Sequence, residues 1–196
     1  GLGRSFVEVL LARGAAKVYA GARKTAELED LVAAHGGKVV ALPLDVTDQA
    51  QVDDLLDVLA MLRDGRLATG GDVLLVGHSR GGVSSLLTAG RHVGTVGVSN
   101  LRGLVTLAAP STCLSMEQAE QDRLLAEGVL SSPSSRTGQD LKIGRAFLQD
   151  QLDDPSGHDL LRQVGRINVP LTVVHGTDDA AVDASAADAI SQAAGG

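Results

Sequence analysis

Short apolar runs alternate with helical patterns along this chain. Five runs are nearly continuous in apolar and β-branched residues, and they span 17–22, 38–44, 72–77, 103–108 and 170–175. Apolar runs that do not alternate with polar residues are typical of strands buried on both faces, and so of a parallel sheet covered by helices. The pattern therefore predicts an α/β fold, with a three-layer α/β/α arrangement around a five-stranded, mainly parallel, doubly wound sheet.

Between these runs, apolar residues recur at spacings of three and four, which predicts helices. Glycine stop signals and polar caps set their boundaries. The predicted helices are 4–13, 25–34, 48–64, 116–125, 141–152 and 181–194, with a further helix between Ser79 and His92. The stretch 131–138, rich in serine and containing a proline, is predicted to be a loop.

Composition narrows the possible classes of function. The 196 residues include 24 acidic and 17 basic side chains, a formal net charge of −7, and only 2% aromatic residues. A nucleic-acid surface needs basic and stacking side chains, so no nucleic-acid partner is expected. No apolar run approaches the roughly 18–20 residues of a membrane span. The one cysteine fits a reducing compartment, and no Cys/His cluster has zinc spacing. We expect a single compact cytoplasmic domain over 1–196, without a metal or a membrane partner.

The strongest local motif is Gly77-His78-Ser79-Arg80-Gly81, which directly follows an apolar run and precedes a helical pattern. In a G-x-S-x-G turn between strand and helix, the serine has a strained backbone and its hydroxyl projects above the sheet. The flanking glycines let the helix pass close to the strand. The N–H of Arg80 then points at a developing oxyanion from a helix N-terminus.

A second motif follows the last apolar run, where His175-Gly-Thr-Asp-Asp179 forms a turn that carries carboxylates. Together the two motifs resemble the α/β-hydrolase family over about residues 57–196. The resemblance implies that Ser79 is the nucleophile, Arg80 an oxyanion donor and Asp179 the triad acid, with Asp178 the less favoured neighbour. It implies a small-molecule ester or acyl substrate.

The family's triad histidine follows one more strand, whereas no histidine comes after His175 in this sequence. We therefore expect a crippled site, capable at most of slow acylation.

Residues 1–56 resemble a different family, the short-chain dehydrogenases/reductases. The likeness rests on Gly1-Leu-Gly3-Arg, on the run 17–22 followed by Arg23, and on Leu-Asp45-Val. It implies NADP(H) binding by Gly1, Gly3, Arg23 and Asp45, with the glycines at a pyrophosphate. The family's catalytic Tyr-x-x-x-Lys is absent, because the only tyrosine has arginine four residues later. A serine hydrolase without a cofactor, an NADP(H)-binding fragment without catalysis and an inert chimeric scaffold all remain open.

The two resemblances together predict a chimera whose halves, 1–56 and 57–196, join within the helix 48–64. If each strand keeps the neighbours it has in its own family, the strand order is (38–44)–(17–22)–(72–77)–(103–108)–(170–175). This is the flavodoxin-like order 2-1-3-4-5, with a crevice between the second and third strands of that list. Gly1, Gly3 and Ser79 would face this crevice.

Overall fold

A computed structural model describes residues 2–44, 49–66, 71–95, 98–133 and 140–195. The helices are α1 (Leu2–Ala12), α2 (Glu29–Ala34), α3 (Gln49–Arg63), α4 (Arg80–Arg91), α5 (Gln118–Glu127), α6 (Arg145–Asp153), α7 (Leu160–Val164) and α8 (Ser185–Ala194). The strands are β1 (Val18–Ala22), β2 (Val39–Pro43), β3 (Val73–His78), β4 (Leu101–Leu107), β5 (Val129–Pro133), β6 (Asp140–Gly144) and β7 (Leu171–Val174). The chain forms two compact units, Gly1–Asp45 and Val46–Gly196. The prediction of one domain with halves meeting at 56/57 stays a prediction.

The first unit is built around the parallel pair β1 and β2, in register from Val18 opposite Val39 to Ala22 opposite Pro43. A 3₁₀ turn at Thr25–Leu28 leads into α2 between the strands. The core of this unit consists of the buried side chains of Val7, Leu31 and Val39. Each comes from a different element, so the predicted apolar stripes of α1 and α2 do pack against the strands.

The second unit contains a parallel sheet in the order β3-β4-β7. Helices α4, α7 and α8 pack on one face of it, where Leu86, Leu104, Val164 and Ile190 are fully buried or nearly so. Side chains alternate between the two faces of a strand, so the neighbours of these core positions lie on the other face. There Leu74 and Val174 are about half exposed. At these positions this face of the sheet is not covered by the second layer of helices that the sequence predicts.

The predicted single five-stranded sheet does not form among the described strands. They pair as β1-β2, as β3-β4-β7 and as an antiparallel hairpin of β5 and β6. Within each unit the strands pair as predicted, β1 with β2 and β4 between β3 and β7. Apolar runs show which segments are strands, while the partner of an edge strand depends on contacts between distant segments.

An insertion of α5, β5, β6 and α6 separates β4 from β7 and has a small core of its own, with Leu124, Leu130 and Leu148 buried together. Helix α5 begins with a capping box between Glu117 and Glu120. The insertion corrects two predictions: 131–133 is strand rather than loop, and helix α6 starts at Arg145 rather than at 141. Residues 134–139 lie outside the described part of the chain.

Helix α4 passes so close to β3 that the glycine pattern there is a packing requirement. A Cβ atom at Gly77 would lie 2.3 Å from the carbonyl oxygen of Gly81. A Cβ at Gly82 would lie 2.7 Å from the Cβ of Ala109, whereas one at Gly81 would meet nothing within 4 Å. Of the two glycines flanking the serine, only Gly77 makes room, and the second required glycine is Gly82.

We expect Gly77→Ala to lower the free energy of unfolding by about 1–3 kcal/mol, because its new methyl group meets a backbone carbonyl that cannot easily move. Gly81→Ala should be neutral or slightly stabilising, since alanine favours a helix and has room there. Urea denaturation of both variants, followed by circular dichroism, checks this. Equal effects of the two substitutions would contradict the close passage of α4 over β3.

Candidate active site

Ser79 occupies the sharp turn between β3 and α4, as the motif predicts. Its backbone has φ 54° and ψ −124°, a conformation that costs a residue other than glycine on the order of 1–3 kcal/mol. The strain is held from two sides. The Ser79 N–H donates to the Leu107 carbonyl oxygen at 2.8 Å, and the Ser79 carbonyl oxygen accepts from the Gly82 N–H at 2.9 Å. The serine is thus fixed to both the neighbouring strand and its own helix.

A second strained residue lies beside the first. Ala108, directly after β4, has φ 47°, and its N–H donates to the Val174 carbonyl oxygen at 2.9 Å. Through these bonds the ends of β3, β4 and β7 lie side by side, at the spacing of about 4.8 Å between neighbouring strands. Ser79 and the turn that starts at His175 therefore open at the same edge of the sheet.

The turn after β7 holds Asp179 through backbone hydrogen bonds. Its Oδ1 accepts from the N–H groups of Ala181 at 2.8 Å and Val182 at 3.1 Å. These bonds are the main reason that the pKa of Asp179 is lowered, and the nearby imidazoles of His175 and His78 lower it further. The carboxylate is thereby kept ionised and fixed in position. Of the two aspartates that the sequence offers, Asp179 is the one these hydrogen bonds hold.

His175 closes the same turn from inside the protein. Its side chain is only 4% exposed, its Nε2 lies 2.9 Å from the Val182 carbonyl oxygen, and the same nitrogen is 3.9 Å from Oδ2 of Asp179. The Nε2–H of His175 can donate to that carbonyl oxygen. His175 therefore shapes the acid turn, and its other ring nitrogen, Nδ1, is buried without a hydrogen-bond partner.

The position of His78 relative to the turn that carries Asp179 could not be predicted from the sequence. His78 is exposed and directly precedes Ser79, and its imidazole is one of the groups that lower the pKa of Asp179. Because β4 pairs with β3 on one side and with β7 on the other, His78 and the acid turn lie at the same edge of the sheet. No local signal indicates this, because the approach results from the pairing of β3, β4 and β7.

Arg80 is the first residue of α4. Its N–H has no acceptor within the helix, because the first turn of a helix leaves its donors unpaired. Its guanidinium donates to the carbonyl oxygen of Cys113 and to Oγ of Ser115 at 3.2 Å, and its Cζ lies 5.4 Å from the centre of the Phe147 ring. Partial burial lowers the pKa of Arg80, although a guanidinium stays charged in proteins.

The residues of the nucleotide-binding alternative are not brought together by any described contact. Gly1 and Asp45 lie outside the described residues, Gly3 is inside the first turn of α1, and Arg23 is exposed just after β1. A side chain at Gly3 would meet nothing within 4 Å, so no close approach requires a glycine there. The proposed NADP(H) set stays a prediction.

Two kinds of site are not found among the described residues, and one cleft lies apart from Ser79. Within the described ranges, no group of three or more His, Cys, Asp or Glu side chains could hold a metal ion. No helix in the same part of the chain is both long and apolar enough to cross a membrane. A cleft of about 340 Å³ runs along β7 and the end of α8, lined by Ile167, Val169, Pro170, Leu171, Val173, Ser191, Ala194 and Gly195. That cleft includes none of the candidate site residues.

This chain resembles known proteins in its structure. No protein-family description and no curated protein matches the sequence. A solved putative hydrolase from Agrobacterium vitis superimposes with a TM-score of 0.60 at 18% identity, covering 89% of this chain and 72% of that one. The fold is α/β-hydrolase-like.

Two further solved structures agree. A monoacylglycerol lipase from Paleococcus ferrophilus gives a TM-score of 0.59 at 14% identity over 90% of this chain and 78% of its own. Est1E from Butyrivibrio proteoclasticus gives 0.56 at 18% identity over 89% and 72%. These alignments cover more of the chain than the stretch 57–196 that carries the sequence resemblance. None of the three is described as a dehydrogenase, so they lend no support to a dehydrogenase-like fragment or to a chimera.

The pH dependence of stability tests the hydrogen bonding of Asp179. Its pKa is lowered in the folded state, so its ionised form stabilises the fold above the usual aspartate pKa of about 3.9, and this contribution is lost as the pH falls through the lowered pKa. Asp179→Asn should therefore reduce stability at pH 7 and flatten the acid dependence below about pH 4. Asp178→Asn, an exposed neighbour, should leave both unchanged. Thermal melts from pH 2 to 7 measure this, and matching curves for the two variants would contradict the assignment.

Proposed function

We propose that this chain carries a serine-hydrolase-type site for an ester or a similar acyl substrate. The backbone conformation of Ser79 supports the proposal most directly. It is strained, and it lies between a parallel strand and a helix. Strain of this kind persists only where the surrounding structure holds it in place, and it is concentrated at functional sites. The α/β-hydrolase-like fold supports the proposal, since a solved esterase domain from Rhodothermus marinus and the monoacylglycerol lipase share it.

The chemistry would proceed by nucleophilic attack. The Ser79 Oγ attacks the ester carbonyl carbon, and the negative charge that develops on the carbonyl oxygen is stabilised by the Arg80 N–H at the positive end of α4. When the carbon–oxygen bond to the leaving group breaks, the alcohol departs with a proton and the acyl group stays on Ser79. Asp179, held ionised at the same edge, would orient the group that takes the serine proton.

Among the described residues, no hydrogen bond joins a histidine nitrogen to the Ser79 hydroxyl. His175 has its Nε2 at the Val182 carbonyl oxygen, and no histidine follows it. A serine site without its base typically retains about 10³–10⁴-fold acceleration over water, from the oxyanion donor and from binding alone. The residues of this chain are therefore expected to support slow acylation of Ser79 without turnover.

Covalent labelling tests the nucleophile. A fluorophosphonate probe should add to Ser79 in a 1:1 ratio, and intact-protein and peptide mass spectrometry should locate it there. Ser79→Ala should abolish the adduct. Ser191→Ala, which removes an exposed hydroxyl from α8 away from this edge, should leave it unchanged. Absence of an adduct on the folded protein, or an adduct at another serine, would overturn the proposal.

Chemical rescue tests the missing base. With p-nitrophenyl acetate, we expect about one equivalent of p-nitrophenol per protein and then a halt. Added imidazole should raise the rate of acylation of Ser79 in proportion to its concentration, because it supplies the general base that no side chain provides. The rate is corrected for the background measured with Ser79→Ala. A rate on the wild type that imidazole does not change after this correction would show that a base is already present.

A further inference from the structure

The guanidinium of Arg80 is held by neutral partners beside the candidate nucleophile. Arg4, Arg63 and Arg102 each pair with an aspartate. Among the described residues Arg80 has no carboxylate partner: its contacts are a backbone carbonyl, a hydroxyl and an aromatic ring, all neutral. Its positive charge is therefore held in place without being compensated.

The neutral contacts place this charge at the edge of the sheet where Ser79 lies. Arg80 follows Ser79 directly, so their Cα atoms are 3.8 Å apart. Cys113 and Ser115 belong to the segment that leaves β4 beside Ser79, and Phe147 lies on α6 of the insertion. The guanidinium is thus fixed between the nucleophile helix and two pieces of the chain that border the same edge.

Partial burial makes an uncompensated charge costly. Removing a cation from water without an opposite charge beside it is unfavourable. Burial therefore lowers the pKa of Arg80. A guanidinium has five N–H donors, of which the described contacts use two. The Nε of Arg80 has no hydrogen bond among the described contacts and is not fully buried, so its N–H is open to a further acceptor. An incoming carboxylate would compensate the charge and could accept two of the guanidinium donors side by side.

We infer that the site selects acyl substrates that carry a carboxylate of their own, recognised by the Arg80 guanidinium. The reaction of such a substrate rests on the proposed function of Ser79, whereas its binding does not. A purely structural role, in which Arg80 only ties the insertion to α4, would stabilise the protein without distinguishing charged from neutral substrates. The two roles therefore differ in substrate preference, which an experiment can measure.

Paired esters of equal length provide the first measurement. The rate of acylation of Ser79 is compared for mono-p-nitrophenyl glutarate, which carries a carboxylate, and p-nitrophenyl valerate, which does not. Arg80→Gln should reduce the ratio of the charged to the neutral rate by about 10–100-fold, because hydrogen bonds to charged groups contribute on the order of 1.5–3 kcal/mol. Arg80→Lys, which keeps the charge, should retain part of the ratio. Arg102→Gln, which removes an equal charge from the amino-terminal end of β4, should not change it.

A binding measurement separates this inference from the proposed function. Monomethyl glutarate and methyl valerate are titrated by NMR into Ser79→Ala, and into the same variant with Arg80→Gln added. The glutarate ester should bind more tightly than the valerate ester, and the second substitution should remove the difference. If no ester acylates Ser79 yet this difference is found, the proposed function fails and the carboxylate site stands. A charged-to-neutral ratio unaffected by Arg80→Gln, or equal binding of the two esters, would overturn the inference.

Discussion

The short distance between helix α4 and strand β3 is the constraint on which the candidate site depends. A Cβ at Gly77 would overlap the backbone of the helix, and one at Gly82 would overlap Ala109 of the neighbouring connection. With both side chains absent, the chain can reverse from strand to helix within one residue. That residue is Ser79, and its positive φ is the cost of the tight reversal. The helix then begins directly beneath the site, with its first N–H groups unpaired.

The acid turn depends on the same sheet in a different way. Asp179 is held by the backbone of its own turn, and that turn is anchored by the buried ring of His175. Its approach to the serine turn comes from β4, which is hydrogen-bonded to β3 on one side and to β7 on the other. The middle strand therefore sets the spacing between two side chains that it does not itself carry.

Local features were predictable from the sequence because their causes are local. The turn around Ser79 follows from residue spacing, and the positions of the buried strands follow from apolar runs. The hairpin of β5 and β6 was missed because polar residues dominate the stretch between Leu130 and Ile143, and antiparallel pairing between them leaves little apolar signal. The contact between Arg80 and Phe147 joins distant parts of the chain, and no pattern in either segment indicates the other.

The size of the sheet was mispredicted for a related reason. The order 2-1-3-4-5 assumed that β1 would pair with β3, as neighbouring strands do in each resembled family. Hydrogen bonding between edge strands is decided by the geometry of whole segments, and the described strands satisfy their backbone groups within smaller sheets. Buried runs thus identified the strands, while their grouping into sheets required the three-dimensional structure.

Ala108 also has a positive φ, 47° against 54° for Ser79, but its side chain carries no functional group. Two adjacent strands thus end in distorted residues at the edge that carries Ser79. Hydrogen bonds next to distorted backbone are the first to open during local fluctuations. Amide protons at the carboxyl ends of β3 and β4 should consequently exchange with solvent sooner than those in the middle of the same strands, so the edge that carries the candidate site is also a place where the sheet opens locally.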